Sequence, residues 1–427
     1  MSNTRPSAAI DTEIQRLDET LVRVRRHLHS HPELSGQEVA TTSYLVERLE
    51  EVGLQPRRLN FDGEPTGLSV DVAVGNATAD SPLIAIRADI DALPINDAKD
   101  VPYKSQRAGM MHACGHDAHT TIVLGAALAS GRLTAGSDSA GDSAGRAMDN
   151  GDIPPTRLRF LFQPAEETSG GALGMIEQGV LEGVDAILAL HVDPERTVGD
   201  VGIRYGVLTA FCDEVDILVC GRGGHSARPH QAIDPIAAAV QLLTALYQLL
   251  PRSVDSRSPS VFTVGRFVSG HAPNAIPDRA ELNGSLRTTE PAARSLLHSR
   301  IREVADGISR ATGVSIQVVF RSPLPGVVND SRVTSALEEA SVHVLGRKHV
   351  HLIDRPSMGG EDFAEYLAHV PGAMLRLGCA SPGRDAAFLH SPDFDIDERA
   401  LGLGCRILAQ AAMIVSRQHR RSADTSK

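Results

Sequence analysis

Tryptophan is absent from the chain, and phenylalanine and tyrosine together make up only 4% of its residues. A cage of stacked aromatic rings around the substrate is therefore not expected. Cysteine is also scarce, because the 427 residues include only five, scattered and odd in number, which suits a reducing compartment. No run approaches the roughly 18 apolar residues of a membrane-spanning helix, and the N-terminus lacks an apolar signal segment. These absences predict a cytoplasmic protein.

Positive charge is in deficit, and the formal net charge is −11 at pH 7. This balance argues against nucleic acid or an anionic membrane as a partner. Hydrophobic residues at 42% and charged residues at 22% are the proportions of an ordinary globular protein. The length exceeds what one hydrophobic core usually supports, so two domains are expected.

The densest group of reactive side chains lies in residues 110–119, directly before an apolar run. It contains a thiol, three imidazoles and a carboxylate. Sulfur and nitrogen donors at the start of a helix suit a zinc-class ion. Cys114 and His116 point to the same side only if the backbone there is extended. Taken alone, the segment also fits a buried free cysteine beside surface histidines.

Two aspartates follow a predicted strand at 83–87, which is nearly all apolar, as in a strand buried on both faces. Asp89 and Asp91 would then lie at its carboxyl end, where α/β enzymes place catalytic groups. The alternative is a simple turn into Leu93 and Pro94.

Two more predicted strands lead to residues that can bind metal. The strand at 157–162 leads to Glu166 and Glu167. Adjacent carboxylates at a strand end cannot face the same way, so one can bind metal while the other acts as a base. The strand at 184–190 leads directly to His191. Three successive strands with this pattern predict an active site at one edge of a sheet.

The pattern of elements changes near residue 208 and again near 321. Residues 208–321 read as strand, glycine-rich loop, helix, two strands, helix and strand, which describes a small α+β sandwich. The predicted fold is therefore an α/β catalytic domain at 1–207 plus 322–427 with a smaller inserted α+β domain at 208–321. Residues 131–155 are small and polar, and they predict a flexible surface insertion without chemistry. Helical spacing predicts helices at about 11–29, 236–250, 292–311, 331–345 and 398–416.

The candidate metal donors come from distant parts of the chain. They suffice for two ions that each keep an open position, which is the pattern of a catalytic site. A structural zinc site would use four closely spaced cysteines or histidines. The donors are Cys114, His116, Glu166 or Glu167, His191 and His390, with Asp89 nearby.

These motifs resemble the amidohydrolase branch of the two-domain di-metal aminoacylases and carboxypeptidases, which includes hippurate hydrolases and auxin–amino-acid conjugate hydrolases. The resemblance covers nearly the whole chain, and the motifs occur in the expected order. Two departures are the insertion at 131–155 and the pair His271 and Pro273, where small residues are more usual. The matching motifs are RRHLH at 25–29 with HPE at 31–33, RADIDALP at 87–94, MHACGHD at 111–117, QPAEE at 163–167, GGHSA at 223–227, NAIP at 274–277 and MGGEDF at 358–363.

The resemblance implies a di-metal fold with an inserted ferredoxin-like domain for dimerisation and for covering the site. It implies Glu166 as general base, and it leaves open whether Asp89 or Asp91 supports the ligands, with Asp89 favoured here. The implied ligands of two zinc, manganese or cobalt ions are Cys114, His116, Glu167, His191 and His390.

Three residues of the inserted domain match positions that contact the substrate in the resembling family: His225, Asn274 and Arg287. The family also implies a homodimer through the edge strand of this domain, with His225 reaching into the partner's site as an oxyanion donor. From local sequence alone, His225 also fits a solvated loop histidine.

The implied reaction is hydrolysis of the amide bond of an N-acyl amino acid. A metal lowers the pKa of water towards about 7 and polarises the carbonyl. Glu166 takes the proton and later delivers it to the leaving amine. His225 or Asn274 would stabilise the oxyanion, and Arg287 could hold the free α-carboxylate.

Two other functions fit parts of the sequence. Cys114 could be a nucleophile activated by His112 or His116, as in thiol amidases. That reading leaves the glutamates and the distant histidines without purpose. The second alternative is a metal-binding or sensing protein without activity, against which the presence of Glu166 argues, because metal binding does not need it.

Overall fold

The computed structural model describes residues 8–135, 153–383 and 387–425. The chain divides into two compact units. Unit 1 comprises Met1–Gly206, Val328–Asp354 and Asp362–Lys427, and unit 2 comprises Val207–Val327 and Arg355–Glu361.

The described residues contain both helices and strands along the whole chain. The helices are α1 (Ala8–Gln15), α2 (Asp18–Ser30), α3 (Val39–Glu50), α4 (His116–Ala135), α5 (Gly171–Glu177), α6 (Pro235–Leu249), α7 (Pro291–Thr312), α8 (Ser331–Leu345), α9 (Phe363–Leu367) and α10 (Arg399–Thr425). The strands are β1 (Arg57–Arg58), β2 (Leu68–Val74), β3 (Leu83–Asp89), β4 (Thr156–Gln163), β5 (Ala186–Thr197), β6 (Val201–Ile203), β7 (Gly206–Val207), β8 (Phe211–Cys220), β9 (Gly224–His225), β10 (Ser260–Ser269), β11 (Ala275–Ile276), β12 (Arg279–Thr288), β13 (Ser315–Leu324), β14 (Val328–Asn329), β15 (Val350–Leu352) and β16 (Gly372–Ala380).

Unit 1 is built on an eight-stranded mixed sheet with the order β1-β2-β4-β3-β5-β16-β6-β15. Strand β3 pairs in parallel with both β4 and β5, and β5 pairs in parallel with β16. All seven residues of β3 are buried, as expected for a central parallel strand covered on both faces. The carboxyl ends of β3, β4 and β5 therefore meet at one edge of the sheet.

Helices α4 and α10 pack against each other and against the central strands. Gly125 of α4 permits this close approach, since a Cβ there would lie 2.6 Å from Leu21 and 2.7 Å from the Cys405 sulfur. Within the described residues, the stretch Arg399–Arg421 is long and apolar enough to span a membrane, but 78% of its most apolar window is buried inside the protein. Packing in the core of unit 1 thus accounts for its composition.

Unit 2 is a four-stranded antiparallel sheet, β10-β12-β8-β13, covered by α6 and α7. Asp234 caps α6 by accepting hydrogen bonds from two backbone N–H groups, and Pro235 starts the helix. Helix α7 ends at Gly313, whose φ is 80°, the usual left-handed end of a helix. The predicted fold class, an α/β catalytic domain with a smaller α+β domain, is confirmed.

Three details of the sequence prediction need correction. The single helix predicted at 11–29 is two helices, because Ile14 and Leu17 both turn into the core around a break at 16–17. Strand β5 continues well past His191, so this residue lies inside the strand rather than at its tip. Of the predicted insertion, residues 131–135 belong to α4 and residues 136–152 lie outside the described residues.

Candidate metal centre

A single glycine sets the geometry of the thiol and the first histidine. Cys114 precedes α4 and His116 is its first residue. Between them Gly115 has a φ of 88°, a left-handed conformation that glycine adopts without penalty. Extended backbone was the expectation, but this turn instead brings the Cys114 and His116 donor atoms within 4.8 Å of each other.

Replacement of Gly115 by alanine is expected to weaken metal binding and turnover by at least about tenfold, since strain and displacement act at the ligands themselves. A Cβ there would lie only 2.3 Å from Val192 Cγ2. Gly109→Ala is the matched control, because Gly109 has a φ of 77° with no atom within 4 Å of the added carbon. Metal content after dialysis and kcat measure both variants. Equal values in the two proteins would contradict the proposed role of this turn.

The Cys114 thiol belongs to two groups of donors. One comprises Cys114, His116 and His191, and the other Cys114, Glu167 and His390, with all ligand atoms of each group within 4.8 Å of one another. Cys114 Sγ lies 3.5 Å from His191 Nε2 and 3.3 Å from His390 Nε2. Ligand atoms around a tetrahedral zinc ion lie about 3.5 Å apart, given the usual bond lengths. The spacing thus fits two donor groups that could each hold an ion, with the Cys114 thiol in both.

The orientation of the imidazoles also fits metal binding. His116 Nδ1 lies 3.0 Å from the Asp91 carboxylate, and His191 Nδ1 lies 2.7 Å from the Val192 carbonyl oxygen. Each Nδ1 therefore carries the proton, and each Nε2 lone pair faces the cluster. His116 Nε2 and Glu167 Oε1 are buried without a hydrogen-bond partner among the described residues. Divalent cations would satisfy both atoms, which are otherwise costly to bury.

Asp91 is the carboxylate that orients this cluster. Its Oδ1 accepts from the His116 ring, and its Oδ2 accepts from the Ser35 hydroxyl at 2.7 Å and the Glu167 N–H at 3.0 Å. Burial favours its neutral form, but the hydrogen bonds from His116 and Ser35 hold the pKa of Asp91 below its ordinary value. Asp91 thus holds one predicted ligand by its ring and another by its backbone.

Asp89 makes no hydrogen bond to the His116 ring among those of the described residues, although its Oδ2 lies 3.9 Å from His116 Nε2. Its carboxylate accepts from His119 Nδ1 and from the Arg87 guanidinium, both at 2.7 Å. His119 Nε2 in turn accepts the Val192 N–H at 2.9 Å, so neither ring nitrogen of His119 remains for a metal. Through the His119 ring, Asp89 thereby helps to hold the Val192 backbone, which is next to His191. These contacts favour Asp91 as the direct support of the ligands and reverse the sequence-based preference for Asp89.

Glu166 lies at the edge of the same cluster. Its Oε2 is 3.8 Å from His116 Nε2, and its side chain is 11% exposed. The preceding residue, Ala165, has a φ of 54°. A carboxylate that is near the donors but still reachable from solvent is suited to handle a proton of water.

A buried arginine that holds two segments near the predicted ligands was not predicted from the sequence. Arg25 is fully buried, and its guanidinium donates to Asp117 at 3.0 Å and to Asp395 at 2.7 Å. Burial opposes the charge on Asp117, but Arg25 and His29 hold the pKa of this carboxyl well below its ordinary value. Asp117 directly follows the predicted ligand His116, and Asp395 lies shortly after the predicted ligand His390. Arg25 therefore links the segments that carry these two histidines. The available signal was an arginine on the apolar face of α2.

The three predicted substrate contacts all lie in unit 2. Strand β9, which ends at His225, pairs with β11, and the Ser226 N–H donates to the Asn274 carbonyl oxygen at 3.1 Å. His225 and Asn274 are exposed. Arg287 lies in β12 and donates to the Met358 carbonyl oxygen at 2.7 Å. The contacts of unit 2 do not test the substrate roles of these residues, which stay predictions.

The chain resembles known proteins over most of its length. Residues 85–414 match the model of peptidase family M20/M25/M40. An N-acetylcysteine deacetylase of Bacillus subtilis (strain 168) is 38% identical over 92% of this chain and 96% of its own length. An N-acetyldiaminopimelate deacetylase of Anoxybacillus flavithermus (strain DSM 21510 / WK1) is 35% identical over 91% of this chain and 96% of its own length. The crystal structure of YxeP from Bacillus subtilis, a dinuclear metal-binding peptidase of the M20 family, superposes with a TM-score of 0.77 and 34% identity, covering 94% of this chain and 99% of YxeP.

Proposed function

Because the chain belongs to peptidase family M20/M25/M40, we propose that it is a metal-dependent amidohydrolase that cleaves N-acyl amino acids to a carboxylic acid and an amino acid. The observation that carries the proposal is one thiol shared by two donor groups, with Glu166 beside them. The relatives named as deacetylases of N-acetylated amino acids support this substrate class.

Two divalent metal ions fit the donor set. We propose zinc as the native metal, because a thiolate and imidazoles favour it, with manganese or cobalt as alternatives. When bound, the ions polarise the amide carbonyl and lower the pKa of water. The residues that would hold them are Cys114, His116, Glu167, His191 and His390.

The chain's own side chains handle the proton and hold the substrate. Glu166 accepts a proton from the attacking water and delivers it to the nitrogen of the leaving amine. Asp91 keeps the His116 ring oriented, while Asp89 acts as a positioning residue through its hydrogen bond to His119. His225 or Asn274 donates a hydrogen bond to the developing oxyanion, and Arg287 binds the α-carboxylate.

The thiol itself is poorly suited to nucleophilic attack. Cys114 is only 7% exposed, and burial raises the pKa of its thiol. A nucleophilic cysteine needs a lowered pKa and access to the substrate, whereas a bound metal ion would itself deprotonate a buried thiol. These properties support Cys114 as a metal ligand over a thiol amidase mechanism.

Hydrolysis of acetyl, benzoyl and indole-acyl amino acids by the metal-loaded protein tests the proposed function. Release of free amino acid from at least one class is the expected result. Failure across the whole panel in protein that retains its metals would favour a binding or sensing role.

Arg287→Lys is expected to impair free-acid substrates much more than their amides. Lysine keeps the charge but loses the planar fork that grips a carboxylate by two hydrogen bonds. The change in kcat/KM should be at least about tenfold for the acid, in line with a charge-assisted pair. Arg279→Lys, on the same strand and 67% exposed, is the matched control. Equal losses on acid and amide would remove Arg287 from substrate binding.

We also propose a homodimer formed through unit 2 and a cytoplasmic location. Strand β10 is an edge strand of its sheet, and an unpaired edge is available for pairing with a second copy. Exposed apolar side chains on β10 (Val261, Phe267, Val268) and on α6 (Val240, Tyr247) support such an interface. All five cysteines are free, which supports a reducing compartment.

A further inference from the structure

A buried carboxyl group joins two loops beside the cluster. Glu38, directly before α3, is fully buried. Its Oε1 accepts hydrogen bonds from the Gly36 N–H at 2.9 Å and from the Ala165 N–H at 2.8 Å. Glu38 and Ala165 are 127 residues apart in the chain. One oxygen atom therefore joins the loop between α2 and α3 to the loop that carries Glu166 and Glu167.

Ala165 occupies a backbone conformation that L-amino acids rarely adopt. Its φ is 54°, and a non-glycine residue in this region persists only where its surroundings hold it there. The Ala165 side chain is fully buried, and its carbonyl oxygen accepts the Gly171 N–H at 3.2 Å. Glu38 fixes the N–H on the other side of the same residue.

Two buried carboxyl groups accept backbone hydrogen bonds on either side of Glu166. Glu38 accepts the Ala165 N–H, and Asp91 accepts the Glu167 N–H at 3.0 Å. Asp91 also accepts from the Ser35 hydroxyl at 2.7 Å, and Ser35 lies in the same loop between α2 and α3 as Glu38. These two contacts, together with the Ser169 N–H that donates to the Glu166 carbonyl oxygen at 2.7 Å, hold the backbone that carries both glutamate side chains.

We propose that Glu38 is a positioning residue for the hydrolysis. By accepting the Ala165 N–H it holds Ala165 in the left-handed conformation. This conformation orients the Glu166 side chain as the base and the Glu167 side chain as a metal ligand. The inference rests on the proposed function, in which Glu166 is the base and Glu167 a ligand. The essential property of Glu38 is then an acceptor oxygen at the correct distance rather than its charge.

Glu38→Gln and Glu38→Asp separate these two properties. Glutamine keeps the length and an acceptor oxygen without the charge, whereas aspartate keeps the charge but is one methylene shorter. We expect Glu38→Gln to stay within about threefold of the natural protein, and Glu38→Asp to lower kcat about 10–100-fold with KM little changed, as for a displaced catalytic group. Zinc affinity of the chelated protein, measured by calorimetry, should fall in the aspartate variant only.

The substitution Ala165→Gly supplies a second, independent test of the proposal. Glycine adopts a positive φ without strain, so the loop would depend less on Glu38. The Glu38→Asp loss in kcat and zinc affinity should therefore be smaller in protein that also carries Ala165→Gly, and this non-additivity is a direct measure of coupling. Should the aspartate variant not fold, as judged by thermal unfolding, Glu38→Met gives similar length without an acceptor.

Two outcomes would overturn the proposal. One is a glutamine variant that loses as much as the aspartate variant. The other is a Glu38→Asp loss that is equal with and without the Ala165→Gly substitution. If the natural protein hydrolyses no N-acyl amino acid, the proposed function fails, while the calorimetric comparison of zinc binding still decides the role of Glu38.

Discussion

Glu166→Gln is expected to lower kcat by about 10²–10⁴-fold while both metal ions stay bound, because glutamine cannot accept the proton of the attacking water. The carboxylate lies at the rim of the donor cluster, 3.8 Å from His116 Nε2. Its removal leaves the second group of donors, which uses Glu167, complete.

Glu167→Gln is the matched comparison, since the same chemical change falls on the adjacent residue. Glu167 is expected to hold metal with a carboxylate oxygen that is buried without a hydrogen-bond partner among the described residues. Its amide variant should lose metal and, as a consequence, activity. Metal content by atomic absorption and single-turnover kinetics distinguish the two variants. The opposite pattern, with metal lost from the Glu166 variant alone, would exchange the two roles.

Cys114→Ala is expected to release both ions, whereas loss of a single histidine should release one. The reason is that Cys114 Sγ belongs to both donor groups, while His191 belongs to the first and His390 to the second. Zinc per chain after dialysis should therefore fall towards zero for the cysteine variant. Values near one are expected for His191→Ala and His390→Ala.

The cysteine variant also tests directly whether the thiol serves both donor groups. If Cys114→Ala protein retained one tightly bound ion, as the histidine variants are expected to do, the thiol would serve a single metal. Turnover that persisted in His191→Ala and His390→Ala protein without metal would instead revive a nucleophilic thiol.

The fold was largely predictable because its signals are local. Helix α8 has the predicted bounds, since helical spacing of apolar residues marks it in the sequence. Helix α8 also begins at a capping aspartate, Asp330, whose side chain accepts two backbone N–H groups. The parallel strands that lead to acids and a histidine were recognisable for the same reason.

The hydrogen bonds that hold the predicted ligands in place were less predictable, because the residues that form them are distant in sequence. Asp89 ends strand β3 and Asp91 lies just after it, and only the placement of α4 decides that His116 contacts Asp91 while His119 contacts Asp89. Glu38 finds Ala165 at a separation of 127 residues. No periodicity in the sequence predicts such pairs, because they depend on how the helices and strands pack in the folded protein.

A zinc titration of the chelated protein tests the central claim most directly. Hydrolysis of an N-acetylated amino acid is followed as zinc is added to the metal-free enzyme. The two donor groups that share Cys114 predict no turnover without metal and full activity only when two ions per chain are bound. Turnover by the fully chelated protein, or none at any metal content, would contradict the assignment of this chain as a two-metal amidohydrolase.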